Sequence, residues 1–286
     1  MDKPGRRTVG FCGQYVTVTF NGRKAEAIVD FLCVDLARGP DDFAKAVYDV
    51  VVVGKKPMMS LWQGEKQLYF GSCGYDLAYM LINEIIYQSI VDNRDGFAIH
   101  AAAVGNGDGA MLLPGKSGSG KSTLVTWLIS RGCNYLTDEL VVISKDDRRV
   151  LPFTRPITIK TGSKAIMSSF LTIDPEKVLE GERGMMVPHR LVNKRFSAFS
   201  PPLSGVLFPQ YVPGVSPEIT RLSGAEGCLN LMACYVNARN IRDHGINRMA
   251  ALAREIPFYR LAYGGFEGLE ALLSRYFPQL FLPCFS

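Results

Sequence analysis

The sequence predicts an α/β protein made of a strand-rich N-terminal region, residues 1–92, and a larger domain, residues 93–286. Its 286 residues are 47% hydrophobic and 21% charged, a composition typical of a folded chain of about two domains. Up to residue 72, runs of β-branched and aromatic residues alternate with turn residues, which favours strands. After residue 93, a short apolar strand, a glycine-rich stretch and a helix-like stretch follow one another, an order typical of α/β folds.

In the N-terminal region, the runs Tyr15–Phe20 and Ala27–Val34 flank Asn21-Gly22. They predict a β-hairpin, because Asn-Gly is a preferred pair for a two-residue turn. Further apolar runs predict strands at 48–53 and across 61–70, the latter interrupted by a turn. Between residues 76 and 91 the apolar positions recur at helical spacing, so a helix is expected to close this region.

The larger domain is expected to begin with a strand–turn–strand unit and to mix strands with helices afterwards. Strands are expected at 97–104, 110–113, 140–143 and 258–262, and helices at 123–131, 241–256 and 266–276. Ser223 and Glu226 have the spacing of a capping box and predict a helix that runs to about Ala238.

The charge pattern argues against a nucleic-acid partner. The net charge is +5, but no block of like charges occurs, and the densest charged cluster, 145–149, mixes both signs. No apolar stretch is long enough to span a bilayer, and the first residues lack the apolar core of a signal peptide. We therefore expect neither nucleic acid nor a membrane as a partner.

The cysteine pattern favours a cytoplasmic protein. The seven cysteines form no Cys-x-x-Cys pair, and the three histidines are far apart in the sequence. This pattern disfavours a structural zinc site and is typical of reduced thiols. A homo-oligomer is compatible with the sequence, which contains no signal that defines one.

One motif carries recognisable chemistry. Residues 115–122 read Gly-Lys-Ser-Gly-Ser-Gly-Lys-Ser and match G-x-x-x-x-G-K-[ST], between a short apolar strand and a helix-like run. Glycines let backbone N–H groups form a cradle for phosphates, and the following helix N-terminus adds its dipole. In this pattern Lys121 supplies a positive charge to the β- and γ-phosphates, and the Ser122 hydroxyl is a ligand of the phosphate-bound Mg²⁺. The candidate nucleotide-binding residues are Gly115, Lys116, Ser117, Gly118, Ser119, Gly120, Lys121, Ser122 and Thr123.

An acidic pair, Asp138-Glu139, follows this motif after one helix and one turn and directly precedes an apolar strand. This separation allows the pair to lie at the end of a neighbouring strand, within reach of the Mg²⁺ and the γ-phosphate. A solvated acidic pair at a strand end is the alternative interpretation.

The string around Lys121 is also similar to the phosphate loop of ABC-transporter ATPases, and residues 222–226, Leu-Ser-Gly-Ala-Glu, faintly resemble that family's signature sequence. No apolar run ending in Asp-Glu follows residue 226, and Asp138-Glu139 comes far too early for that family. Ser223 is better explained as a helix cap. We therefore reject the ABC interpretation.

The segment 95–275 resembles HPr kinase/phosphorylase and related kinases of peptide-modification gene clusters, including those that phosphorylate a serine of a lasso-peptide precursor. The shared order is a strand with a histidine, a turn, a strand, the phosphate loop, a helix and an acidic pair; here these are His100, residues 113–124 and Asp138-Glu139. Residues 152–160 resemble the Pro- and Arg-containing segment of these relatives. The resemblance implies a fold related to that of phosphoenolpyruvate carboxykinase, with a mixed, strongly curved sheet and flanking helices.

The resemblance also implies roles for individual residues. Asp138 matches the family's first acid, which is the base toward the acceptor hydroxyl, and Glu139 matches the second acid, nearer the metal. His100 matches the strand histidine close to the reacting phosphate. A packed core histidine is the alternative for His100, because a single histidine on an apolar strand is weak evidence for catalysis.

The sequence departs from the family pattern at two places, and these departures limit which properties the resemblance implies. The second acid is Glu139, where the enzyme that modifies HPr has Asp, so its side chain is one methylene longer. Only Glu182-Arg183-Gly184 resembles the phosphorolysis loop, so the sequence gives little support for that reverse reaction or for HPr as acceptor. Three basic residues are candidates for charge stabilisation or substrate binding, or else for solvated surface positions: Arg155, Lys160 and Arg183.

Together these features predict a kinase that uses ATP and Mg²⁺ to phosphorylate a hydroxyl, with Ser or Thr of a peptide or protein as the acceptor. Asp138, His100 and Lys121 are the expected catalytic residues, and Ser122 and Glu139 are the expected metal ligands. A small-molecule kinase is one alternative, because phosphate-binding residues do not define the acceptor. A nucleotide-binding regulatory protein without transfer activity is another, which the presence of both acids disfavours.

Overall fold

The computed structural model describes residues 4–194, 196 and 198–281. It combines helices with mixed multi-stranded sheets, so the α/β class is confirmed. The helices are α1 (Arg23–Cys33), α2 (Gly74–Ile90), α3 (Lys121–Ser130), α4 (Lys164–Met167), α5 (His189–Val192), α6 (Gly224–Met232), α7 (Ile246–Glu255), α8 (Leu269–Tyr276) and α9 (Pro278–Phe281). The strands are β1 (Gly5–Phe11), β2 (Gln14–Phe20), β3 (Ala37–Arg38), β4 (Ala44–Val53), β5 (Met58–Gln63), β6 (Lys66–Gly71), β7 (Gly96–Asn106), β8 (Gly109–Pro114), β9 (Asn134–Thr137), β10 (Leu140–Ser144), β11 (Val150–Leu151), β12 (Ile157–Lys160), β13 (Leu179–Gly181), β14 (Gly184–Val187), β15 (Leu203–Tyr211), β16 (Glu218–Leu222) and β17 (Phe258–Tyr263). Within the described ranges, no helix is long and apolar enough to cross a membrane.

The chain forms two compact units that are interleaved along the sequence. The first comprises the chain up to Asn93 with segments 154–164 and 173–188, and the second comprises the intervening segments and the chain from His189. The division after Asn93 lies next to the expected boundary between residues 92 and 93. The two later segments of the first unit depart from the expected continuous range 93–286, because their contacts are with residues far away in the sequence.

In the first unit, a six-stranded sheet packs against α1 and α2. The order across the sheet is β3-β1-β2-β4-β5-β6. β2 and β4 are parallel, and the other neighbours are antiparallel. The strands expected at 15–20, 48–53 and 61–70 and the helix expected at 76–91 are confirmed.

The hairpin expected around Asn21-Gly22 is wrong, because residues 23–33 form α1. Ala25, Ile28, Val29 and Leu32 are buried at the three- to four-residue spacing of one helix face. β-Branched residues favour strands, but the difference in helix propensity is below about 1 kcal/mol per residue. Burial of this apolar face against the sheet outweighs it.

The first unit also contains a three-stranded antiparallel sheet, in which β14 lies between β12 and β13. It is formed by the two later segments of this unit. β13 packs on α2, where the ring of Tyr75 fills the space beside Gly181, and Leu179 approaches Gly74. This packing leaves Tyr75 only 3% exposed.

In the second unit, an eight-stranded mixed sheet is built around the hairpin of β7 and β8, as expected for residues 97–113. The order is β11-β10-β7-β8-β15-β17-β16, and β9 pairs with the later half of β7. β15 is parallel to both β8 and β17. Because the residues of β7 alternate between two faces, Phe97, Ile99, Ala101 and Ala103 enter the hydrophobic core, and His100 lies on the opposite face.

The capping box at the start of α6 is confirmed, with the side chains of Ser223 and Glu226 each accepting the other's backbone N–H. The helix ends at Met232 rather than near Ala238. It stops there because residues 234–237 run beside β7 and form hydrogen bonds with that strand instead.

Two later helices begin further along the chain than the apolar pattern predicts. α7 begins at Ile246 rather than Ile241, because residues 243–245 all have positive φ and interrupt the helix. α8 begins at Leu269 for the same reason, since its N-cap Gly268 has a φ of 70°.

Candidate functional site

The glycine-rich loop, residues 115–120, connects the end of β8 to the start of α3. Gly118 and Gly120 have φ values of 89° and 91°, a region that glycine adopts without the strain of a Cβ atom. The strand, loop and helix thus follow one another as the motif predicts.

Two tyrosines hold this loop from neighbouring strands. The hydroxyl of Tyr263, at the end of β17, donates to the carbonyl of Gly120 at 3.0 Å. The backbone N–H of Tyr211, at the end of β15, donates to the carbonyl of Ser119 at 3.1 Å. Burial raises the pKa of Tyr263, so its hydroxyl remains a donor at neutral pH.

The start of α3 offers backbone donors for an anion. Across the described ranges, the N–H groups of Gly120, Ser122 and Thr123 have no hydrogen-bond acceptor. The helix has neither a side-chain cap nor an acidic residue in its first turn. Such an end carries the positive pole of the helix dipole, so it can hold a phosphate group.

Lys121, His100 and Glu139 form a continuous chain of contacts. Nζ of Lys121 lies 3.2 Å from Nε2 of His100, and Nδ1 of His100 lies 3.2 Å from Oε1 of Glu139. The sheet places Glu139 next to His100, because the following residue, Leu140, pairs with His100 in the register of β10 and β7. Lys121 is only 7% exposed, and Nζ also donates to the carbonyl of Gly115.

Both contacts of His100 are satisfied by an imidazole with its proton on Nδ1. Nδ1–H then donates to Glu139, and the lone pair of Nε2 accepts from the ammonium group of Lys121. The side chain of His100 is 38% exposed, so the core-histidine alternative is wrong. The arrangement can orient the ammonium group of Lys121 beside the loop.

The two acids of the pair lie in different environments. Asp138 is 1% exposed, and its Oδ1 accepts a hydrogen bond from the hydroxyl of Tyr135 at 3.0 Å. The ring of Tyr135 stacks on that of His189, with centroids 4.9 Å apart. The side chain of Glu139 is 41% exposed. Asp138 is therefore a buried, oriented carboxylate, and Glu139 is an accessible one.

Cys234 is a further neighbour of the loop. Burial raises the pKa of its thiol, and the charge of Lys121 together with a hydrogen bond from the N–H of Gly115 opposes part of this rise. The thiol therefore lies beside the first glycine of the loop. The segment that carries it is held to β7, where the N–H of His100 donates to the carbonyl of Cys234 at 2.8 Å.

The three basic candidates belong to the first unit, whereas the loop belongs to the second. Arg155 is 2% exposed, and its Nη1 donates to Oγ1 of Thr158 at 3.1 Å, so it is not a solvated surface residue. Lys160 and Arg183 are exposed.

The oxygen donors beside the loop suit Mg²⁺, which prefers carboxylate and hydroxyl oxygens and, in nucleotide sites, also binds phosphate oxygens. Ser122 is partly exposed on the first turn of α3, and Glu139 supplies an accessible carboxylate. In the part of the chain that the structure describes, no three His, Cys, Asp or Glu side chains are grouped to hold a metal ion. These residues therefore fit a Mg²⁺ ion that phosphate oxygens help to coordinate.

Four residues of the site carry no signal in the sequence analysis: Tyr135, Cys234, Tyr211 and Tyr263. The last three follow the loop by many residues and reach it only through the pairing of β15 and β17 or through the segment beside β7. Tyr135 is three residues before Asp138, so a search for polar neighbours of the acidic pair would have found it.

No protein-family model matches this sequence, and no curated protein matches it at a significant level. The resemblance to the HPr-kinase group therefore rests on the motif residues and their order. A functional assignment depends on the geometry around Lys121.

Proposed function

We propose that this protein is a kinase that transfers the γ-phosphoryl group of ATP to a Ser or Thr hydroxyl of a peptide or protein, with Mg²⁺. The observation that carries the proposal is the contact chain from Lys121 through His100 to Glu139, at the start of the helix that follows a glycine-rich loop. Phosphoryl transfer depends on positioned charges and on an acid that orients the hydroxyl, and Lys121 and the acidic pair would supply these groups.

The loop and α3 would bind the triphosphate. The N–H groups of Gly120, Ser122 and Thr123 donate to phosphate oxygens, and the ammonium group of Lys121 exchanges the carbonyl of Gly115 for a phosphate oxygen. Ser122 and Glu139 would hold the metal. When bound, Mg²⁺ neutralises charge on the β- and γ-phosphates.

In the transfer step, the acceptor hydroxyl gives its proton to a carboxylate of the acidic pair, and its oxygen bonds to the γ-phosphorus. The bond between that phosphorus and the β–γ bridging oxygen breaks, and ADP leaves. The family resemblance assigns the base to Asp138, whereas solvent exposure favours Glu139. The burial of Asp138 is compatible with its role as base, because catalytic hydrogen bonds often form only when substrate binds.

We further propose that the second unit has the HPr kinase/phosphoenolpyruvate carboxykinase type of fold. Its mixed sheet supports this proposal, since β8 leads into the loop and α3 and lies between the antiparallel β7 and the parallel β15. The position of the acidic pair between β9 and β10, next to His100, agrees with the order of the family motif.

Calorimetric titration with Mg²⁺ and a non-hydrolysable ATP analogue tests the nucleotide site. Lys121→Ala should weaken binding by at least about tenfold, because it removes a charge-assisted contact with the phosphates. Lys24→Ala, an exposed lysine on α1, is the matched control and should bind like the parent. Equal affinity of Lys121→Ala and the parent would show that the site assignment is wrong.

Transfer is tested with radiolabelled ATP and degenerate peptides that contain a fixed Ser or Thr. The parent should label these peptides, and Lys121→Ala should not. A parent that binds ATP but labels no peptide would contradict the peptide-kinase proposal, and label in small hydroxyl compounds instead would identify a small-molecule kinase.

A further inference from the structure

A cleft in the second unit concentrates positive charge away from the glycine-rich loop. It has a volume of about 420 Å³, and its lining includes four basic residues, Arg94, Lys145, Arg242 and Arg248, but only one acid, Asp243. This excess makes the cleft suited to an anionic ligand.

Two of the four cations are not neutralised by a nearby carboxylate. Lys145 is paired with Asp95 at 2.7 Å, and Arg242 lies 3.9 Å from Asp243. Arg94 and Arg248 form no ion pair with any residue that the structure describes. Guanidinium groups bind carboxylates with two parallel hydrogen bonds, so this pair can hold acidic side chains.

The start of α7 adds backbone donors to the same cleft. Asn247 and Arg248 belong to the first turn of that helix and line the cleft, and the helix has no side-chain cap. Their N–H groups have no acceptor within the described ranges. These donors reinforce the attraction for an anion that the side chains create.

The segment 234–237, which pairs with β7, connects the candidate site to the cleft. Residues 234–237 run antiparallel to β7, from the bond between His100 and Cys234 to the bond in which the Asn237 amide donates to the carbonyl of Gly96 at 3.0 Å. Residues 240–243, 245, 247 and 248 then line the cleft together with Arg94 and Lys145. A strand rises about 3.3 Å per residue, so Gly96 lies about 13 Å from His100 along β7.

We infer that the cleft binds a carboxylate-rich segment of the acceptor, about four to six residues away from the hydroxyl that is phosphorylated. An extended peptide with its hydroxyl near His100 would span that distance and place acidic side chains beside Arg94 and Arg248. This inference rests on the proposed function and adds a substrate class to it: peptides with an acidic block. Val236, which is 46% exposed, lies on the intervening segment.

A peptide fits the cleft better than a nucleic acid. Nucleic-acid surfaces need a basic stripe that follows several phosphates, whereas here the cations are confined to one cleft and are interspersed with Asp243 and Asp95.

Fluorescence anisotropy with fluorescein-labelled hexaglutamate, without nucleotide, tests the inference. The double variant Arg94→Gln/Arg248→Gln should weaken binding by at least about tenfold, because two charge-assisted contacts are lost. Arg254→Gln, on the last turn of α7 and outside the cleft, should change it by less than about twofold. Arg94→Glu/Arg248→Glu should lose hexaglutamate and gain affinity for hexalysine, a gain that a misfolded protein would not show.

Several results would overturn the inference. They are equal hexaglutamate binding by the parent and both double variants, tighter binding of a single-stranded oligothymidine than of hexaglutamate, and displacement of the peptide by millimolar phosphate but not by chloride of equal ionic strength. The last two would identify a nucleic-acid site and a small-anion site. Titration of the parent with ATP separates the two proposals. A parent that binds ATP but not hexaglutamate removes only the cleft proposal. Peptide binding by a parent that fails to bind ATP removes only the kinase.

Discussion

The imidazole of His100 faces Glu139 with Nδ1, at 3.2 Å from Oε1, and this contact determines which ring nitrogen faces Lys121. Glu139 therefore orients His100, and His100 limits the positions open to the ammonium group of Lys121. A substitution at either residue should affect phosphoryl transfer more than folding, since both side chains are partly exposed.

His100→Gln should lower the transfer rate by at least about tenfold, because glutamine lacks the rigid ring that places Nδ1 beside Glu139 and Nε2 beside Lys121. The melting temperature should stay close to that of the parent. His244→Gln, an exposed histidine outside the site, is the control. A large loss of stability with unchanged turnover of the folded fraction would contradict a role in catalysis.

Asp138→Asn and Glu139→Gln separate the base from the metal ligand. If Asp138 is the base, Asp138→Asn should retain ATP affinity and lose transfer by about 10²- to 10⁴-fold. Glu139→Gln should weaken the Mg²⁺-dependent part of ATP binding, because it removes a charge near the metal. Calorimetry and single-turnover transfer measure the two effects. The opposite pattern would reverse the roles, and full activity of both variants would refute a role for the pair.

Gly120→Ala should destabilise the protein and abolish ATP binding. Its positive φ costs an L residue about 1–2 kcal/mol, and the added methyl group would collide with the Tyr263 hydroxyl. Gly118 has a similar φ, and an added Cβ there would meet no atom within 4 Å. Gly118→Ala should therefore lose only the free energy of the strained backbone. Urea unfolding measures the difference. Partial rescue is expected in Gly120→Ala/Tyr263→Phe, and equal losses in the two single variants would contradict the role of the Tyr263 contact.

Asn237→Ala should reduce the free energy of unfolding by about 2–4 kcal/mol, because two backbone groups lose their bonds. The Asn237 side chain is buried, accepts from the N–H of Ala98 at 2.8 Å and donates to the carbonyl of Gly96 at 3.0 Å. Asn247→Ala, at an exposed position, should cost less than about 0.5 kcal/mol. Chemical denaturation distinguishes these values, and similar losses would show that the buried amide contributes little.

Ser223→Ala should cost about 1 kcal/mol of stability by removing the cap of α6. The hydrogen bonds from Ser223 lower the pKa of Glu226 in the folded state. The stability that these bonds to the Glu226 carboxylate contribute is complete above the ordinary glutamate pKa of about 4.3. It is lost as the pH falls through the lowered pKa that Glu226 has in the folded state. The difference in stability between parent and variant should therefore narrow from pH 7 to acid, and the part that comes from the lost hydrogen bond between the Glu226 N–H and Oγ of Ser223 should remain at every pH. Ser274 does not cap a helix, so the stability of Ser274→Ala should differ from that of the parent by a small amount that stays constant with pH.

Sequence patterns predict those elements correctly whose interacting residues are close together in the sequence. The β7–β8 hairpin, the glycine-rich loop and α3 are encoded by turn residues, glycines and a helical run within forty residues, and the expected elements agree with the structure. The sequence predicts a strand where α1 forms, because Ile28 and Val29 favour strands locally, whereas packing against the sheet favours the helix.

Other parts of the site depend on contacts between distant residues. The meeting of His100 and Glu139 follows from the register of β7 and β10, which the sequence does not state, so only the family resemblance predicted it. Cys234 and Tyr263 reach the loop through pairings that span much of the chain. The position of Arg155 in the sequence predicts that it belongs to the larger domain, but its segment joins the first unit.

The interleaving of the two units has a consequence for synthesis. α2 is among the earlier elements to leave the ribosome, yet β13, which covers Tyr75, is made only after β7, the glycine-rich loop and α3 have emerged. Until then the nascent chain carries an aromatic surface that its own later residues must close. A fragment that ends at Asn93 would carry that surface permanently, so the N-terminal region should aggregate or recruit chaperones when it is expressed alone.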